Sequence, residues 1–247
     1  MAPQTSERVP ASRVAGIDGC KARWLCIGRD LHGAAITARL FDSAAAVAEQ
    51  DPLPGVIGWD IPIGLAEGGA GRECDSKARS VLRAPRASSV FTAPVRSALA
   101  AASRAEASEI TARCCDGRRV AAQAFGIYAK VRAVDVLLES RPALRERIRE
   151  VHPEICFWAW NGGASMRHYK KTPAGERERR DLVAHHFGAD ALETVRELLA
   201  PRRAPVDDIL DAFAALWTAE RIARGVARTL PEDPPRDARG LRMEIVY

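Results

Sequence analysis

The sequence predicts an α/β fold: a mixed five-stranded sheet flanked by helices, with a helical insertion before the fifth strand. Three observations carry it. Three short apolar runs joined by tight turns come first and read as an antiparallel meander. A short Ala-rich helix then separates the third run from a fourth, and such a crossover makes the fourth strand parallel to the first. Helical patterns fill residues 66–149 before the next apolar run, and a long amphipathic helix follows near the C-terminus.

The elements follow in order. Residues 14–17 form the first strand and run into Asp18, Gly19 and Cys20. Residues 24–28 and 34–41 are the next two strands, with 29–33 as their turn. Ser43 caps a helix over 44–50, which the Pro-rich stretch 51–55 ends. Residues 56–62 supply the fourth strand, and Pro62, lacking an N–H, stops its pairing. Residues 72–96 are helical only in part because Pro85 and Pro94 interrupt them. Helices are expected over 97–115 and 119–139, and 145–150 reads as a charged helical linker. Residues 151–158 read as the fifth strand, confined to the sheet edge by Pro153. Helices over 175–187 and 190–199 follow, and the basic cluster 167–180 reads as a solvated helix face. The strongest helix spans 206–229, and 243–247 reads as an extra strand.

Composition sets the broad class. At 247 residues, 47% hydrophobic and 28% charged, the chain suits one globular domain over residues 14–247. No apolar run approaches membrane-spanning length, and residues 1–13 read as a disordered polar lead-in rather than a signal peptide, so a cytoplasmic location is expected. The six cysteines form no C-x-x-C pair and are expected to be reduced thiols. A net charge of +5 is compatible with a polyanionic partner.

The candidate chemistry lies in carboxylates. Gly16-Ile17-Asp18 and Gly58-Trp59-Asp60 repeat one pattern at the ends of two strands. Side chains alternate faces, so each Gly hollows the face on which its Asp lies. Adjacent strands are about 4.8 Å apart, close enough for two such Asp to share metal ions. A third carboxylate, Asp211, lies a turn inside the long helix, on one face with Asp207, Asp208 and Ala215. The small residues around it let the helix approach the hollow beside Gly16 and Gly58, and no basic neighbour in its stretch neutralises it. Candidate phosphate contacts are Lys21, Arg72, Arg79, Arg83, Arg86, Arg96 and Lys130.

Seven blocks in order extend the pattern over nearly the whole chain: GIDGC at Gly16, IGWDIPIGL at Ile57, RECDSKAR at Arg72, SSVFTAPVR at Ser88, EVHPE at Glu150, DDILDAFAALWTA at Asp207 and GLRMEIVY at Gly240. Together they resemble the bacterial DUF429 family of predicted ribonuclease H-like nucleases. The resemblance implies a ribonuclease H-like sheet whose first three strands are antiparallel. It also implies two divalent ions, Mg or Mn, held by acidic residues of the first strand, the fourth strand and a late helix. Asp18, Asp60 and Asp211, with Asp208, occupy those places, and Glu154 of the HPE motif is a further candidate. The implied activity is metal-dependent phosphodiester hydrolysis on RNA or DNA. Two rivals stay open: a non-catalytic nucleic-acid or protein-binding module on the same fold, and an actin- or sugar-kinase-like phosphotransfer protein suggested by Asp-Gly-Cys-Lys after a strand. Oligomeric state is left open.

Overall fold

The computed structural model describes residues 12–247, so the expected lead-in over 1–13 lies outside the described residues except for its last two, and Arg13 already belongs to a strand. The chain runs β1 (Arg13–Cys20), β2 (Arg23–Asp30), β3 (Ile36–Phe41), α1 (Ala44–Ala48), β4 (Val56–Trp59), α2 (Glu73–Leu82), α3 (Arg104–Cys114), α4 (Ala122–Gly126) and α5 (Tyr128–Ser140). It continues with β5 (Ile148–Glu150), α6 (Pro153–Trp160), α7 (Pro173–Phe187), α8 (Ala191–Leu198), α9 (Val206–Ala223), β6 (Thr229–Leu230) and β7 (Ile245–Val246).

The main sheet is mixed and five-stranded, in the order β3-β2-β1-β4-β5. β1, β2 and β3 pair antiparallel, while β4 runs parallel to both β1 and β5. Alternation decides what each face of β1 and β4 meets. Ala15, Ile17, Ile57 and Trp59 pack in one buried cluster with α1 and α5. Val14 and Val56 belong to the opposite cluster, with α6, α8 and α9.

α9 is the central helix. Asp207 and Asp208 in its first turn favour the positive end of its dipole. Ala and Leu carry its interior, and it ends before Gly225, which adopts φ +70°. Gly16 and Gly58 stand opposite each other in the register. A Cβ on Gly16 would lie 2.1 Å from the Leu216 N and 2.2 Å from the Ala212 O, and one on Gly58 would lie 2.6 Å from the Ala215 O. The hollow that the Gly-x-Asp repeat leaves in the sheet is therefore filled by the main chain of α9.

Five expected elements are corrected, the first two together. Residues 151–158 are not the fifth strand. Pro153 occupies the first turn of α6, where its missing N–H costs nothing and its fixed φ suits a helix. β5 is instead the three residues Ile148–Glu150, inside what read as a charged linker. Its charges are answered from afar: Arg149 meets Glu244 at 2.5 Å, and Glu150 meets Arg72 at 2.6 Å. The helix expected over 97–115 begins only at Arg104, capped by Ser103, and the one expected over 119–139 is divided into α4 and α5. α9 stops at Ala223 rather than continuing to 229, and residues 243–247 contribute β7, paired with β6.

Candidate functional site

Three chain segments converge where β1 and β4 end. Asp18 sits within β1, buried at 7% exposure. Asp60 follows β4, and its N–H donates to the Ile17 carbonyl at 2.9 Å, which fixes it beside Asp18. The two carboxyls lie within hydrogen-bonding reach of each other. Carboxylates only accept, so that contact needs a proton between them or a cation in its place. α9, held against the glycines, brings in Asp211 from the same face.

Burial is the first cause of every shift at this cluster. It pushes Asp18 well above the ordinary carboxylate range, and repulsion from Asp60, Asp211 and Asp208 adds to it. Burial raises Asp60 too, opposed by His152 and Lys170. Asp211 is pushed up to about 6 by burial, with Lys170 opposing. Asp208 is raised by burial, opposed by the neighbouring Cys20 thiol. Cys20 itself is pushed up to about 11, first by burial and then by Asp208, which makes it a poor nucleophile. All six cysteines are free.

The expectation that Asp211 has no cation beside it is overturned. Lys170, from the loop before α7, places Nζ 2.6 Å from Asp211 Oδ2. Asp211 Oδ1 is buried with no partner at all. Asp60 and Asp211 open onto a cavity of about 540 Å³ that also receives His152, Glu154, Lys170, Arg86 and Tyr169.

The remaining sequence candidates divide. Glu154 reaches the cavity from α6 instead of from an edge strand. It is paired with the fully buried Arg179 of α7, and its Oε2 has no partner. Lys130 comes to the acidic cluster. Its Nζ bonds the Arg23 carbonyl at 3.0 Å and lies 4.6 Å from the Trp24 ring centroid. Burial lowers its pKa while Asp18 and Asp208 oppose. Arg86 lines the cavity mouth.

Five other basic candidates do not come to it as free charges. Arg72 is buried between Glu150 and Asp75, at 2.6 and 2.5 Å, and serves as an internal tie. Arg96 is held by Asp135 and Asp237. Arg79 donates to the Val90 carbonyl and the Thr92 hydroxyl, both at 3.0 Å. Arg83 is exposed on a separate groove beside Trp158. Lys21 is exposed in the β1–β2 turn at φ +51°.

Sequence reasoning missed His152 and Lys170. His152 follows Val151, whose bridge to Val246 lies just beyond β5, and precedes Pro153 past the end of a parallel strand, a position from which side chains reach a sheet-end crevice. Lys170 carried no signal beyond membership of a charge run.

Among the described residues no group of three or more His, Cys, Asp or Glu side chains is arranged as a preformed metal site. The donor set is nevertheless suited in kind to a hard divalent cation: carboxylate oxygens, one of them a buried orphan. The charge that such an ion would neutralise is met here in part by Lys170, while burial and mutual repulsion hold the Asp18 carboxyl well above its ordinary range.

A family model described as "Protein of unknown function (DUF429)" matches residues 16–236. No curated protein and no solved structure matches the chain.

Proposed function

The chain belongs to the DUF429 family, and from that premise and the carboxyl cluster we propose a divalent-metal-dependent nuclease of ribonuclease H-like fold that hydrolyses phosphodiester bonds. One observation carries the reading. Asp18, Asp60 and Asp211 come from three separate elements to one buried cluster, all with raised pKa values, and leave the Asp211 Oδ1 unsatisfied. Buried like charges that nothing in the fold requires mark a functional site. A purely structural cluster would be paired out, as Arg72 pairs Glu150 and Asp75.

Asp18, Asp60 and Asp211 would hold Mg or Mn, with Asp208 behind them near Cys20. Such an ion supplies charge for the transition state and a more acidic bound water. The chain's own groups do the rest. Lys170, on the cavity wall, is placed to move from Asp211 to a phosphate oxygen. His152, beside Asp60, is placed to donate to the leaving oxygen or to orient water. Lys130 tempers the repulsion at Asp18. Arg86 holds a neighbouring phosphate at the mouth.

The test is cleavage of a panel of RNA and DNA in Mn and in Mg, with EDTA as the control. Asp18→Asn, Asp60→Asn and Asp211→Asn are each expected to lower the rate by at least about 100-fold, since each removes charge that would fix the ion opposite the transition state. A panel left uncut in both metals overturns the proposal.

A further inference from the structure

We propose that the cavity takes an unpaired nucleotide of a single-stranded nucleic acid, its base stacked at the rim on Tyr169 and Phe91 and its phosphate held by Arg86 and Lys170. This inference rests on the nuclease reading and names the substrate class of the same site.

The exposed apolar side chains carry it. Tyr169 is 55% exposed and Phe91 45% exposed, and both line the cavity. The other large apolar residues exposed among the described ones, Val136, Leu198 and Val226, are aliphatic and lie away from it. Two aromatic faces left in water at one rim cost free energy, and planar π-systems are what they suit. Charge agrees with this. The Arg86 guanidinium lies 5.8 Å from the Tyr169 ring centroid, and its buried Nε has no partner. Lys170 follows Tyr169 directly in the chain and points inward to Asp211. A base stacked on Tyr169 therefore sets its phosphate one residue's reach from the acidic floor.

The geometry also selects single strands. In a duplex both faces of a base are covered by its neighbours, so nothing is free to stack on Tyr169 unless the base is extruded. An unpaired base offers its face to any aromatic side chain irrespective of sequence. A cavity of about 540 Å³ has the capacity of a single small-ligand site.

The experiment is fluorescence anisotropy in EDTA, where no cleavage intervenes. It uses a short labelled oligonucleotide, its blunt duplex, and the mononucleotide as competitor. The single strand is expected to bind at least tenfold more tightly than the duplex. Tyr169→Ala is expected to weaken it about tenfold, Phe91→Ala less, and Tyr169→Trp to retain binding with indole quenching on stacking. These side chains are exposed, so melting temperatures should stay at the wild-type value. Equal affinity for duplex, no competition by an excess of the mononucleotide, or unchanged binding by Tyr169→Ala each overturns the proposal. A single strand bound in this way but never cut in Mn or Mg removes the nuclease reading alone. A duplex cut at equal rate by wild type and Tyr169→Ala removes this inference alone.

Discussion

Lys170 Nζ lies 2.6 Å from Asp211 Oδ2 although 41 positions separate the two in the chain. An ammonium group thus stands where a carboxylate cluster would otherwise demand another cation. Lys170 directly follows the exposed Tyr169 on the same loop, so the rim and this ion pair share one short segment.

Removing the ammonium separates its two effects. In Lys170→Met the Asp211 carboxyl loses its partner, and metal-free stability should drop by about 1–3 kcal/mol. Mn should then raise the melting temperature more than in wild type, because no resident cation competes. Thermal melts with and without Mn measure both, and a Mn response no larger than wild type refutes the competition.

The pH dependence has a definite sign. Asp211 titrates at about 6 when folded, raised by burial, against roughly 3.9 when unfolded. Between those values the folded chain holds the proton and the unfolded chain does not. Metal-free stability from this group is therefore full below about pH 4 and lost by about pH 6. Asp18, Asp60 and Asp208 shift in the same direction and deepen the decline. Glu150, pushed up to about 7 by burial, declines equally in wild type and variant. Melts in chelator across this range should show a shallower fall for Asp211→Asn than for wild type. Parallel profiles would count against the assignment.

Neutralising Asp18 should help the metal-free protein. Its charge is opposed by burial and by Asp60, Asp211 and Asp208. Asp18→Asn is expected to raise the melting temperature in chelator at pH 8 by a few degrees, and to abolish the rise produced by Mg or Mn. An equal metal response in both proteins would place the ion elsewhere.

Arg72 and Arg86 should behave oppositely. Arg72→Met strands Glu150 and Asp75 in the interior, a loss of about 3–5 kcal/mol. Arg86→Ala should leave the melting temperature nearly unchanged and reduce the salt slope of oligonucleotide binding by about one. Denaturant titration and binding at several salt concentrations distinguish them, and a normal stability for Arg72→Met would contradict the buried tie.

Gly16→Ala tests how the third carboxylate is positioned. Its Cβ would collide with main-chain atoms of α9, which cannot rotate aside. The cost should be about 1–3 kcal/mol, with a weakened metal response because Asp211 moves away from Asp18. Gly33→Ala, whose Cβ meets nothing closer than 3.7 Å, is the control. Equal stability of the two variants would show that α9 yields freely.

What could be read in the sequence was what local periodicity encodes. The Gly-x-Asp alternation gave both the face of each carboxylate and the room for a helix, and helical spacing placed Asp211 opposite. What could not be read depends on partners distant in the chain. Arg72 read as a candidate phosphate contact because Glu150, its partner, is 78 positions away. Lys170 and Arg179 looked like a solvated helix face for the same reason. The apolar run after Glu150 suits a buried strand and a buried helix alike, and Pro153 is tolerated at a strand edge or in a helix's first turn. Only the packing of α6 against α9 decides between them.

The glycine-lined seat of α9 also sets an order of events in the living cell. During synthesis the strands bearing Asp18 and Asp60 leave the ribosome early, while α9 emerges more than 140 residues after β4. Until it docks, the seat at Gly16 and Gly58 is bare and only two of the three carboxylates exist. An unfinished polypeptide therefore lacks the complete cluster, and on the proposed reading no metal site is whole until α9 has emerged.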